Sequence, residues 1–219
     1  RFFVFHLRKC IMPVISNTIC NDSTQLAVWH IVEEESAFEV PLQRTITHKH
    51  KRLQHLAGRQ LLVYLQPGFP LHAIAVADTR KPYLPDEAYH FSISHCGDYA
   101  AAIVSTQQRV GIDIEIVTER VHRIKHKFLH PQELRWVNSF LPEQQTLLLT
   151  LLWSAKEALF KWLGTGEVDF SEMLRVMPFA QHTSGQMQAA IIHPSIDVAL
   201  TVHYTIHAAG WVMCWVLEG

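Results

Sequence analysis

Two motifs in the second half of the chain place acidic and basic side chains at spacings that suit phosphate chemistry. In the first, GIDIE, isoleucines alternate with acids, so Asp113 and Glu115 point to the same side of a strand. The second, WSAKEALFKWLG, begins at Trp153, 38 residues after Glu115. On a helix, Trp153, Glu157 and Lys161 follow one another at intervals of four residues and therefore share a face.

These side chains predict a magnesium site if the helix face meets the acidic face of the strand. Three carboxylates, completed by water or phosphate oxygens, form the oxygen-rich shell that Mg²⁺ prefers. Lys161 would then hold a phosphate oxygen. The alternative is a surface pair of Glu157 with Lys161, worth ~0.3–0.5 kcal/mol, beside two acids that face water. The apolar surroundings of all four charges favour the magnesium site, because unpaired charge is costly there.

Hydrophobic periodicity predicts the elements that must position these residues. Apolar or alternating runs predict strands at 26–32, 73–78, 90–94, 99–105 and 110–117, and again in the last 30 residues. Leucines at helical spacing predict an amphipathic helix from Lys49 to Leu65 and a strongly apolar helix from Leu147 to Leu163, before Gly164. KPYLP, between the second and third of these strands, is predicted to be an extended loop that its prolines keep rigid.

The chain contains one short internal sequence repeat, which we call the echo. Residues 90–104 resemble residues 203–216 once a single residue is gapped, and both segments are typical of a strand, a glycine turn and a strand. The echo indicates two similar halves that meet near residue 110, although two unrelated hairpins can resemble each other by chance. Residues 1–11, which precede Met12, are expected to lie outside the fold.

Five segments together resemble the motif set of the 4′-phosphopantetheinyl transferases. In order, they are AGR (57–59), KPYLP (81–85), FSISH (91–95), GIDIE (111–115) and WSAKEALFK (153–161). The resemblance covers residues 26–219 and is to the larger, pseudo-dimeric type that activates surfactin and enterobactin synthetases. GIDIE and WxxKEAxxK at this separation are far more specific together than either motif is alone.

The resemblance implies an α/β (α+β) fold with two similar subdomains, each a small, mostly antiparallel sheet packed with helices. It implies an N-terminal extension and first-strand region at 1–25, an N-terminal subdomain at 26–110 and a C-terminal subdomain at 111–219. The active site would lie in the cleft between the two subdomains. A monomer is expected, because the duplication supplies internally the interface that the smaller family type makes by oligomerising.

The implied reaction is Mg²⁺-dependent transfer of the phosphopantetheine arm of coenzyme A (CoA) to a serine of an apo acyl or peptidyl carrier protein, with release of 3′,5′-ADP. By the resemblance, the metal ligands are Asp113, Glu115 and Glu157. The implied catalytic residues are Glu157, which accepts the serine proton, and Lys161 and His95, which bind the pyrophosphate. The implied CoA ligands are Arg52, Arg59, Lys81, Ser94, His95 and Lys161.

Simpler interpretations compete with these assignments. His95 is one of 15 histidines, most of which must be surface or core residues, but it lies at a strand-to-turn junction, where binding residues concentrate. A solvated basic helix face is the alternative for Arg52 and Arg59, and it competes more strongly for Arg52 than for Arg59. A different Mg²⁺-dependent phosphoryl enzyme, such as a nucleotide pyrophosphatase, would share the carboxylates. A non-catalytic module that binds CoA or a carrier is the third alternative, disfavoured because the three acids and Lys161 are all intact.

The segment from Arg120 to Arg135 is basic in a chain whose net charge is −1. Such a surface beside GIDIE would attract the acidic helix that carrier proteins present next to their serine. A solvated loop or a nucleic-acid contact is the alternative. Aromatic side chains that could stack on bases are sparse in this segment, so no nucleic-acid partner is expected.

Composition excludes several classes of protein. The chain of 219 residues is 48% hydrophobic and 18% charged, which is typical of a folded domain rather than of disorder. Four widely spaced cysteines argue against a disulfide scaffold and fit a reducing, cytoplasmic environment. No apolar run reaches ~18 residues, so a soluble protein without a membrane span is expected. His48 and His50 lie two apart on a predicted helix and diverge there, so zinc is not expected.

Overall fold

The computed structural model describes residues 14–42 and 45–217. The expected extension at residues 1–11 lies outside the described residues. The first part of the chain forms β1 (Val14–Asn21), β2 (Thr24–His30), α1 (Lys49–Leu65), β3 (Ala75–Val76), β4 (Pro82–Tyr83), β5 (His90–Cys96) and β6 (Tyr99–Ser105). The second part forms β7 (Val110–Ile116), α2 (Lys125–Phe128), α3 (Pro131–Asn138), α4 (Pro142–Leu163), β8 (Leu174–Val176), β9 (Ser184–His193), β10 (Ile196–His207) and β11 (Trp211–Leu217).

The strands form two antiparallel sheets that follow one another along the chain. The first sheet has the order β1-β2-β6-β5, and the second has the order β7-β11-β10-β9-β8. A short ribbon of β3 and β4 stands apart from both sheets. The predicted fold class, with two antiparallel sheets packed with helices, is therefore confirmed.

The two sheets pack face to face between two long helices. Alternation along each strand sends one set of side chains to a core between the sheets, where Leu26 and Val28 of β2 meet Ile112 and Ile114 of β7. The other face of the first sheet packs against α1, and the other face of the second sheet packs against α4. The layers therefore run helix, sheet, sheet, helix, with β5 and β7 lying close together where the sheets meet.

Helix α1 has the predicted bounds, because its buried leucines recur at helical spacing and Pro67 follows its end. It approaches the first sheet closely at Gly58, where a Cβ atom would lie 2.6 Å from Ile93 Cγ2. A larger residue at this position would press against Ile93, so glycine favours the close approach of α1 to β5, which carries FSISH.

The echo between residues 90–104 and 203–216 corresponds to two hairpins. The first is β5–β6, which turns at Gly97 with φ of +47°, and the second is β10–β11, which turns at Gly210 with φ of +83°. The left-handed backbone explains why glycine recurs at both turns. The prediction of a strand-turn-strand unit in each half is confirmed.

Three predictions from the sequence need correction. The apolar helix predicted from Leu147 begins earlier, at Pro142, because its first turn is polar and exposed and gave no apolar pattern. The strand predicted at 73–78 is reduced to Ala75–Val76, because residues 71–73 form a 3₁₀ turn. The first core strand, predicted at 26–32, begins at Thr24 and is preceded by β1, whose largely polar and exposed side chains gave no apolar pattern. No helix within residues 14–42 and 45–217 is both long and apolar enough to cross a membrane.

Candidate active site

Strand β7 presents the acids of GIDIE towards α4. Asp113 is buried, with 3% of its surface exposed, and Glu115 is half-buried. Ile112 and Ile114 point the other way, into the core between the sheets. Because side chains alternate along a strand, the hydrophobic core fixes the direction of both carboxylates, as predicted.

The glycine of GIDIE lets α4 lie directly against β7. A Cβ atom on Gly111 would come within 2.1 Å of the carbonyl oxygen of Ala158 and 2.8 Å of the backbone nitrogen of Trp162. No side chain fits in that space. Since Ala158 and Trp162 flank Glu157 and Lys161 on the helix, this close approach brings the two motifs together.

Lys161 joins the two motifs through an ion pair. Its ammonium donates to Asp113 Oδ1 at 2.7 Å and to Ser94 Oγ at 2.8 Å, and Ser94 Oγ donates to the same carboxylate oxygen at 2.8 Å. Ser94 comes from β5 of the first sheet, so both halves contribute to this cluster. The alternative in which Lys161 forms a surface pair with Glu157 beside water-facing acids does not describe the buried Asp113.

The remaining two carboxylates are charged only at some cost. Burial, followed by the charge of Asp113, raises the pKa of Glu115 to about 7, although the indole N–H of Trp153 donates to Glu115 Oε1 at 3.1 Å. Burial and the charge of Asp113 also raise the pKa of Glu157 to about 7. The mutual repulsion of three carboxylates around one lysine makes the site attractive to a cation.

The chemistry of this cluster fits the predicted Mg²⁺. Asp113 Oδ2 is buried and has no hydrogen-bond partner among the described residues, which leaves one oxygen available for a ligand. All three acids supply the hard oxygen donors that Mg²⁺ prefers. Within residues 14–42 and 45–217, however, no three acidic, histidine or cysteine side chains already stand at metal-binding spacing. The ligand set Asp113, Glu115 and Glu157 stays a prediction.

His95 and Lys81 bring further groups from the first half of the chain. His95 follows Ser94 at the exposed end of β5, where desolvation by the surrounding chain and the charge of Lys161 lower its pKa below 6.5. Lys81 lies against the end of α4, since a Cβ atom on Gly164 would be 2.9 Å from its Nζ atom. Burial and the charge of Arg109 lower the pKa of Lys81 to about 8.

A cavity of about 170 Å³ lies between Lys81 and the end of α4. Its walls come from the loop before β4, from β5 and from the last turns of α4, and its lining includes Lys81, Ser92, Glu157 and Lys161. The cavity therefore extends from the predicted CoA-binding loop to Glu157 and Lys161. Arg80, which has a φ of +66° and was not singled out in the sequence, also lines it.

The two arginines of α1 have local partners. Arg52 donates to Glu35 Oε2 at 3.0 Å and to the carbonyl oxygens of Ile46 and Thr47, so it anchors the segment that leads into the helix. Arg59 contacts His55 one turn earlier. The assignment of Arg52 and Arg59 to CoA stays a prediction, and the contacts of Arg52 show that it also has a structural role.

The sequence reasoning missed a buried ion pair beside the site. Lys156 is completely buried and donates to Glu133 Oε2 at 2.6 Å, and Glu133 is 5% exposed. A lysine on the buried side of a strongly apolar helix was the available signal, because such a charge requires a partner. Its partner could not be found from sequence, since Glu133 lies on another helix.

Beyond Glu115, a groove of about 480 Å³ separates β7 from the basic segment. We call it the Glu115 groove; it is lined by Cys96, Gly97, Glu115, Ile116, Thr118, Arg120, Val121, Ile124, Thr150 and Trp153. Ile116 is 37% exposed there. Arg120, Arg123 and Lys127 are exposed along the same segment. The groove therefore combines apolar lining residues with Arg120 and Glu115, and the other exposed cations follow Arg120 in the chain.

The sequence of the second half matches a known protein family. Residues 109–216, which include GIDIE and WSAKEALFK, match the model of the 4′-phosphopantetheinyl transferase superfamily. The family resemblance is confirmed.

Individual members of this superfamily show the extent of the similarity. The chain is 34% identical to enterobactin synthase component D of Escherichia coli K12 over 134 residues, 58% of this chain and 63% of that protein. It is 35% identical to a 4′-phosphopantetheinyl transferase of Bacillus subtilis over 95 residues, 43% of this chain and 42% of that protein. The matched segments thus span less than two thirds of the length of these two proteins.

Proposed function

We propose that the protein transfers the 4′-phosphopantetheine group of CoA to a serine of an apo acyl or peptidyl carrier protein and releases 3′,5′-ADP. The observation that carries the proposal is the Lys161–Asp113–Ser94 cluster, which joins the two family motifs across the two sheets. The match to the transferase superfamily over residues 109–216 supports the same reaction.

In this reaction the serine oxygen forms a bond to the β-phosphorus of CoA, and the bond between that phosphorus and the oxygen of the departing 3′,5′-ADP breaks. Glu157 receives the serine proton, directly or through a water molecule, as a general base positioned next to the reacting phosphate. Lys161 and His95 bind the pyrophosphate, and Lys161 offsets the charge that develops on the leaving ADP. Most of the acceleration comes from positioning and charge neutralisation.

Coenzyme A occupies the cavity between the loop before β4 and α4. Ser94, Lys81 and Arg59 contact its phosphates and nucleotide, with Arg52 at the edge of the site. Mg²⁺, held by Asp113, Glu115 and Glu157, would neutralise the pyrophosphate when bound. The orphaned Asp113 Oδ2 and the raised pKa values of the other two acids support this assignment.

The carrier protein docks on the basic segment from Arg120 to Arg135. The exposed side chains of Arg120, Arg123 and Lys127 complement an acidic carrier helix, and the adjacent Glu115 groove leads to the carboxylates. The working unit is a cytoplasmic monomer whose subdomains, 26–110 and 111–219, each supply part of the site. No nucleic acid and no membrane takes part.

Intact-mass spectrometry tests this function. An apo acyl carrier protein and an apo peptidyl carrier domain are each incubated with the protein, CoA and Mg²⁺, with and without EDTA. We expect a gain of one phosphopantetheine that EDTA and the Asp113→Ala variant abolish. Asp197→Asn, which removes an exposed acid of β10, is the matched control and retains activity.

Other outcomes contradict the proposal in different ways. Cleavage of CoA without labelling of either carrier would indicate a phosphoryl hydrolase. If CoA stays intact and no carrier is labelled, but the protein binds CoA or a carrier, the result would indicate a non-catalytic module.

A further inference from the structure

Trp153 is held by aromatic contacts on two sides. It is half-buried on α4, four residues before Glu157, and donates its indole N–H to Glu115 Oε1. The Phe128 ring meets it edge-on, with ring centroids 5.2 Å apart, and the Phe170 ring stacks at 5.7 Å with an interplanar angle of 28°. These contacts limit the rotation of the indole and therefore the direction of its N–H bond.

The two phenylalanines come from separate segments that one lysine ties together. Phe128 ends α2, and Phe170 lies in the loop after α4. The Lys156 ammonium donates to the carbonyl oxygen of Phe128 at 2.6 Å and to that of Phe170 at 2.9 Å. Its third hydrogen bond goes to Glu133, so all three of its donors are used.

Glu133 completes this buried network. Besides Lys156, its carboxylate accepts from the backbone nitrogens of His130 and Val176, both at 2.8 Å. Both members of the ion pair are buried, and each is fully hydrogen-bonded, as a buried charge requires. Lys156 neighbours Glu157 in sequence but cannot touch a substrate, since none of its surface is exposed.

These contacts form a continuous path from the buried ion pair to the acidic cluster. We infer that Trp153 is a positioning residue that aims the Glu115 carboxylate into the site, and that Lys156 and Glu133 act through it by fixing Phe128 and Phe170. The inference rests on the proposed function, in which Glu115 is a ligand of Mg²⁺. Partners that orient a metal ligand commonly change metal affinity by 10–100-fold when they are removed.

The first test compares two tryptophan variants. Trp153→Phe keeps an aromatic ring between Phe128 and Phe170 but removes the N–H donor. Trp136→Phe, whose ring contacts Phe140 and Phe179 in the same half, is the matched control. Calorimetric titration of the CoA-loaded protein with Mg²⁺ should show affinity reduced about 10-fold for Trp153→Phe and unchanged for Trp136→Phe. Thermal unfolding should show similar midpoints for the two variants.

The second test is a double-mutant cycle. Lys156→Met combined with Glu133→Gln removes both buried charges together, which avoids leaving either one unpaired. This replacement should weaken Mg²⁺ binding in the wild-type background and have no further effect in the Trp153→Phe background, because its action passes through Trp153. Transfer assays should show a lower kcat for Trp153→Phe and for the Lys156→Met, Glu133→Gln double variant, with KM for CoA unchanged.

The outcomes separate the inference from the proposed function. Wild-type Mg²⁺ affinity in Trp153→Phe, absence of Mg²⁺ binding by the wild type, or additive effects in the cycle would overturn the inference. If the wild-type protein labels no carrier while Trp153→Phe still weakens Mg²⁺ binding, the proposed transfer fails and the positioning role stands.

Discussion

Lys161 of α4 donates its ammonium to Asp113 Oδ1 of β7 at 2.7 Å, although 48 residues separate them in the chain. Ser94 adds a hydroxyl from the other sheet to the same carboxylate oxygen. The acid therefore holds a helix, a strand and the neighbouring half of the molecule in one arrangement, while its second oxygen has no partner among the described residues.

Replacing Asp113 by Asn should abolish most of the transfer activity. The amide retains the size of the side chain but not the charge that orients Lys161, so we expect kcat to fall about 100-fold or more. Intact-mass kinetics measure the loss, with Asp197→Asn as the control. Activity within a few-fold of wild type would remove Asp113 from the site.

Gly111→Ala should destabilise the protein by about 1–3 kcal/mol, because the new methyl group would overlap the backbone of α4. The shift of α4 should also reduce activity. Gly166→Ala is the control, since a Cβ atom there meets only Thr79 Cγ2 at an ordinary 3.4 Å. Denaturant unfolding of the two variants measures the difference, and equal stabilities would contradict the close packing of α4 on β7.

Without divalent cations, stability should fall as the pH rises through neutrality. The pKa values of Glu115 and Glu157 are raised from 4.5 to about 7 in the folded protein, so between these values the folded state binds more protons than the unfolded state. Their contribution is fully present below about pH 4.5 and is lost as the pH passes about 7.

Thermal unfolding in EDTA between pH 5 and 8 measures this effect. Glu157→Gln removes one titrating group and should flatten the curve, and saturating Mg²⁺ should oppose the loss at high pH. A midpoint that rises with pH in EDTA, and does so equally in Glu157→Gln, would show that these carboxylates do not govern the dependence.

Binding of CoA should weaken above about pH 8, where Lys81 loses its proton. Its pKa is lowered to about 8 by burial and by Arg109, whereas an arginine at this position stays charged. The dissociation constant of CoA, measured by calorimetry, should therefore rise with pH for wild type and stay level for Lys81→Arg. Identical pH profiles for both proteins would exclude Lys81 as the titrating group.

The carrier should be recognised through the charges beside the Glu115 groove. Arg120→Gln combined with Arg123→Gln should raise KM for the carrier about 10-fold at low salt and leave KM for CoA unchanged. Gln186→Glu combined with Gln188→Glu makes the same change in charge on β9, away from the groove. A similar increase in both double variants would indicate an effect of net charge instead of docking.

The sequence could predict the elements whose side-chain pattern is set by burial. Apolar periodicity predicts the bounds of α1 and the direction of Asp113 and Glu115 on β7. It also predicts the two hairpins that the echo relates, β5–β6 and β10–β11. Strand β1 escaped prediction because it lies at the edge of its sheet and buries little, so its stability comes from pairing with β2 rather than from its own sequence.

Contacts between distant segments could not be read from local patterns. Nothing in the sequence around Lys156 identifies Glu133 as its partner, and nothing around Glu115 shows that Trp153 donates to it. Both pairings depend on how α4 packs on its neighbours. The motifs therefore indicated candidate site residues but not which of them hold the others in place.

The two sheets meet at β5 and β7 through side chains. Ser92 Oγ accepts from the backbone nitrogen of Ile112 at 3.2 Å, and Ser94 reaches Asp113, but the two strands belong to different sheets. The candidate site therefore lies at the boundary between the two sheets, which the hydroxyl groups of Ser92 and Ser94 bridge. Because no backbone pairing joins β5 to β7, the alignment of Ser94 with Asp113 rests on side-chain contacts between the two sheets.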